Sequence, residues 1–202
     1  GQQILMGRMN LPAELLVKIA TEDFNGLPQQ LGELAALKYR QLQNDPSLTP
    51  TELARINTVA PYNLDAWDGY QYEREVVLGT AKQLSKNLVV LAGLKDINGD
   101  QIGVEFAASS VSSPGLEEYL ELPENQIAGA EQGIGLLVDD LDYLNINQRG
   151  YMVVTFTAQE ARADWYFVDT IKSRDYAIDT ARSESRIVRP GAGNRRVEPA
   201  PV

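Results

Sequence analysis

The stretch RGYMVVTFT, Arg149 to Thr157, is followed after Ala158-Gln159-Glu160 by ARADWYFVDTI, Ala161 to Ile171. Both runs are rich in β-branched and aromatic residues and alternate with a period of two, the pattern of half-buried strands. So short a connection allows only an antiparallel hairpin, because a parallel pair needs a crossover of about a dozen residues. Upstream, NLVVLAG (Asn87 to Gly93) is a continuous apolar run of the kind that is buried on both faces. LKDINGDQIGVEFAA then places Asn98-Gly99 between apolar stretches, which reads as a second hairpin. Asp96 to Asp100 is not a calcium loop, since its glycine falls at the fourth position and no glutamate stands at the twelfth.

The first third is helical. LPAELLVKIA (Leu11 to Ala20) places Leu15, Leu16 and Ile19 on one face, with Pro12 suited to a first helical position. LGELAALKYRQLQ (Leu31 to Gln43) repeats the stripe with Leu34, Ala35, Leu37 and Leu42. Thr49-Pro50-Thr51-Glu52 reads as a capping box ahead of Leu53 and Ile56. The loop APYNLDAWDGY leads into an amphipathic helix from about Tyr70 to Lys86. Ser113 is the expected cap of a helix entered through Pro114, and a glycine-diluted helix is expected over Pro123 to Val138. Gly129, Gly133 and Gly135 follow no strand and have the wrong spacing for a dinucleotide fingerprint.

Helices and strands therefore fall in one mixed, α+β chain of 202 residues, enough for one domain or two small ones. Hydrophobic residues are 44% and charged residues 23%, ordinary for a folded protein rather than a disordered one. The net charge of -10 argues against nucleic acid as the main ligand. No apolar run reaches the ~20 residues that a bilayer span needs. There is no histidine and no cysteine, so imidazole bases, thiolate nucleophiles, Cys/His zinc sites and disulfides are all excluded. The segment from Lys172 to Val202 holds seven Lys/Arg against four Asp/Glu, opposite in sign to the body. A division into a domain over residues 1–171 and a basic, Pro/Gly-containing tail over 172–202, wrapped on the acidic body or partly mobile, follows from that shift. The opening GQQILMGRM reads as the middle of a strand, so the chain is expected to be a piece of something longer.

Four residues are candidates for lining a site or supporting one, on loop position alone: Arg8, Asp65, Trp67 and Arg149. Arg8 and Arg149 stand at strand-to-loop junctions, where a guanidinium can grip a phosphate through two parallel hydrogen bonds; the plainer reading of each is an ion pair. Asp65 with Asp68, and Asp139 with Asp140 and Asp142, offer paired carboxylates for a hard cation. In so acidic a chain, solvated loop carboxylates are the commoner outcome.

GQQILMGRMNLP, PYNLDAWDGYQYERE, NLVVLAG, GVEFAASSVSSPGLEEYL and NQRGYMVVTFTAQEARADWYFVDT occur in this order. Together they resemble the C-terminal part of PhoD-type alkaline phosphatases, the alkaline phosphatase D family of metallophosphatases, over Gly1 to about Thr170. The resemblance implies the C-terminal half of a calcineurin-like metallophosphatase sandwich, with a mixed sheet and flanking helices. It implies a metal-dependent phosphomonoesterase/phosphodiesterase that hydrolyses phosphate esters with iron and calcium. It also implies a periplasmic or secreted protein. In that family the NLVVLAG strand runs directly into a Gly-Asp-x-His loop that ligates the metals, whereas here Gly93 is followed by Leu94-Lys95-Asp96. No family ligand maps onto this sequence, so no metal or cofactor is expected on this chain alone, the metal-bearing N-terminal half being its expected partner. Either a ligand loop is omitted at Gly93–Leu94, the expected case, or the chain runs on as one strand from Leu88 to Ile97. An omitted loop would separate the two Cα atoms by much more than about 3.8 Å. The alternative function is a non-catalytic structural or interaction fragment.

Overall fold

The computed structural model describes residues 10–61, 70–84, 94–95, 98, 100–139, 141–191, 194 and 196–201. In chain order the elements are β1 (Asn10–Pro12), α1 (Ala13–Ala20), α2 (Leu27–Leu42), α3 (Pro50–Asn57), β2 (Val59–Pro61), α4 (Gln71–Leu84), β3 (Leu94–Lys95) and β4 (Gln101–Gly103). There follow α5 (Leu116–Tyr119), α6 (Glu124–Leu137), β5 (Arg149–Phe156), β6 (Ala161–Val168), β7 (Glu184–Val188) and β8 (Glu198–Pro199). They fall into two compact units. One comprises Met9–Tyr62 and Pro114–Asn147, the other Gly1–Arg8, Asn63–Ser113 and Gln148–Val202.

The first unit is built on α2. Leu27, Leu31 and Leu34 recur at helical spacing and are buried with Leu15, Ile56, Ile127, Ala130 and Leu137 in one apolar cluster. The glycines of α6 do not dissolve it. A Cβ at Gly133 would sit 3.2 Å from Leu31 Cγ, so this glycine lets α6 lie close against α2, and burial of Ile127, Ala130 and Leu137 offsets its poor helix propensity. α1 starts at Ala13 rather than Leu11, because Asn10 to Pro12 pair antiparallel with Val59 to Pro61 and Pro12 becomes the cap.

α3 carries the expected capping box. Thr49 Oγ1 accepts from the Glu52 N–H at 3.2 Å, and the Thr49 N–H donates to Glu52 Oε2 at 2.7 Å. Arg40 ties this cap to α2 through Asp45 at 2.8 Å and Glu52 at 3.1 Å. Thr49→Ala is expected to cost about 1 kcal/mol, read as a lower urea midpoint at unchanged slope. An unchanged midpoint would show that the cap does not hold the helix.

The same cluster sets an acid limit. Hydrogen bonds from Ser47, and next from Arg40, hold the Asp45 carboxyl well below the usual carboxylate range. The Thr49 N–H and hydroxyl, then Arg40, lower Glu52 as well. A carboxylate depressed in the folded state stabilises fully above its unfolded pKa, about 4, and that contribution is lost as pH falls through the folded value. The thermal midpoint should therefore fall on acidification below about pH 4, less steeply in Asp45→Asn. A midpoint that rises over that range contradicts the assignment.

In the second unit β5, β6, β7 and β8 form one antiparallel sheet in that order. β6 alternates as its sequence predicts: Ala161, Ala163, Trp165 and Phe167 are buried. Phe106 meets the Trp165 ring edge-on at 5.6 Å, and Trp165 Nε1 donates to the Ala107 carbonyl at 2.7 Å. On the other face Tyr151 stacks on Tyr166 at 5.1 Å and stays half exposed, as does Val153. The β6 run ends at Val168, not Ile171: Asp169 N–H donates to the Ala177 carbonyl and its carboxylate accepts from the Ala177 N–H, which turns the chain away.

β7 and β8 come from the basic segment after residue 171 and extend the sheet beyond β6. Three of its arginines meet carboxylates within the segment: Arg186 pairs with Glu184, and both Arg189 and Arg196 pair with Glu198. β3 and β4 form the expected hairpin, with Asn98 in its turn. The expected mixed sheet is not seen among the described residues, where every pairing is antiparallel; the β5–β6 turn is too short for anything else. The run Leu88 to Gly93, including the Gly93 side of its junction with Leu94, lies outside the described residues.

Candidate functional site

Arg149 opens β5, where its register partner is Val168. The side chain is 6% exposed, and its Nε donates to the Ser113 carbonyl at 2.9 Å. Burying a guanidinium is costly unless its donors are engaged, so the Ser113 carbonyl is part of what holds the cation there. The segment that supplies this carbonyl is itself folded on a hydroxyl. Ser110 Oγ accepts the N–H groups of Ser112 at 3.2 Å and Ser113 at 2.8 Å. Ser109 Oγ, in the same segment, is buried without a hydrogen-bond partner among the described residues.

Ser113 is not the cap of α5. The cap is Gly115, in extended conformation, with no side-chain bond. Ser113 has its N–H on Ser110 and its carbonyl on Arg149, which keeps it out of the helix by two residues. Next to Arg149, Gly150 lies so close to β6 that a Cβ there would overlap the Tyr166 carbonyl oxygen and stand 3.0 Å from Phe167 Cα. Only glycine allows that approach, and the approach fixes the start of β5, hence the position of Arg149.

Arg8, Asp65 and Trp67 lie outside the described residues, as do Asp68 and Asp140. Asp139 is in an ion pair with Lys38 at 2.9 Å, and Asp142 is exposed. Among the described residues no three Asp or Glu stand together as a ligand group. The carboxylates described do not form a ligand set for iron or calcium.

Arg74, in the first turn of α4, is 2% exposed, and its Nη1 meets Glu75 Oε1 at 2.9 Å. A cation near a helix N-terminus opposes the macrodipole, and burial adds to the cost, so the neighbouring carboxylate is needed to offset both. In sequence Glu73-Arg74-Glu75 looks like a solvated charge run, and the neighbouring Tyr72, Val76 and Val77, all exposed, do not mark Arg74 as the inward one.

Arg74 and Arg149 are the two buried charged residues among those described, and both belong to the second unit. Chemically, a buried guanidinium is a permanent cation with planar donors matched to carboxylate or phosphate oxygens. Residues 1–165 match a family model described as PhoD-like phosphatase. No curated protein and no solved structure matches the chain.

Proposed function

Because the chain belongs to the PhoD-like phosphatase family, we propose that it serves the hydrolysis of phosphate mono- and diesters, with Arg149 on the substrate's phosphoryl group. The family match carries this reading. The burial of Arg149 beside the Ser110–Ser113 segment supports its second half. In that role the guanidinium donates to non-bridging phosphoryl oxygens and offsets charge that builds there in the transition state. Ser113 holds the guanidinium plane through Nε, and Gly150 keeps β5 in the register that delivers it.

Iron and calcium belong to the proposal as the metals of the reaction, held by ligands outside these 202 residues. The fold in this reading is one half of a calcineurin-like sandwich, and the place of action is periplasmic or extracellular. No helix among the described residues is long and apolar enough to cross a membrane.

The test of the metal assignment is iron analysis of the purified 202-residue chain after dialysis. Substoichiometric iron is expected, because scattered carboxylates hold transition metals weakly. Stoichiometric iron that survives dialysis would overturn the placement of the ligands. A second reading, a non-catalytic structural or interaction fragment, draws on the absence of histidine and on Leu94 directly following Gly93. Ester hydrolysis by the natural full-length polypeptide separates the two.

A further inference from the structure

We draw no further inference here: the strongest candidate, the cleft of about 350 Å3 between the first two turns of α2 and α6, lined by Pro28, Leu31, Gly32, Gln126, Gly129 and Ala130, is an open groove, and nothing in the structure shows what fills it.

Discussion

Gly150→Ala is expected to destabilise the sheet unit by about 3 kcal/mol or more, at or beyond the upper end of ordinary overpacking. Two effects compete. Alanine in place of a strand glycine gains roughly 0.5–1 kcal/mol of chain entropy. Against that, the new Cβ would overlap the Tyr166 carbonyl oxygen and press on Phe167 Cα, both of them backbone atoms of β6. Backbone cannot rotate aside as the end of a flexible side chain can, so β5 must move off β6 and weaken the pairs from Arg149↔Val168 onward. The clash therefore exceeds the entropy gain by at least about fourfold. For a chain of this size the loss corresponds to a thermal midpoint lower by roughly 6–12 °C in far-UV circular dichroism. A midpoint unchanged or raised would mean that β5 and β6 do not approach as described.

Arg149→Ala in the natural full-length polypeptide is expected to lower phosphate-ester turnover by about 10²–10³, the usual loss when one donor to a developing negative charge is removed. Stability falls too, by about 1.5–3 kcal/mol, the range for a hydrogen bond made by a charged group. The two effects separate in Arg149→Lys. Lysine keeps the charge but not the planar fork or the Nε–H that meets Ser113, so kcat should recover only in part. If turnover per folded molecule is unchanged in Arg149→Ala while the midpoint drops, Arg149 is a structural residue and its phosphoryl role is wrong.

The features legible in the sequence are those whose chemistry is complete within a few residues. Thr49 and Glu52 satisfy each other's backbone groups, so the capping box is readable without the fold. The β5–β6 hairpin is readable because alternation and a short turn leave one topology. The β1–β2 ribbon is not, since Asn10 to Pro12 find their partners about fifty residues away and none of the six positions has strand-like alternation. Nor are β7 and β8, where a charge-rich segment joins the sheet through backbone pairing and the burial of Ile187 and Val188, with its ion pairs at the margin.

The site divides along the same line. Arg149 stands out at a strand start, but its burial depends on Ser113, thirty-six residues earlier. Ser113 in turn reads as a cap from sequence, because its two backbone commitments, to Ser110 and Arg149, are invisible in a local window. Arg74 is hidden for the opposite reason, since flanking glutamates disguise a buried cation as surface.

Phosphate-ester hydrolysis is read from p-nitrophenol release from p-nitrophenyl phosphate and bis(p-nitrophenyl) phosphate by the natural full-length polypeptide supplied with iron and calcium. Saturable release from at least one of the two esters, lost on chelation, is the predicted result. Absence of hydrolysis of both, from folded protein loaded with those metals, would contradict it.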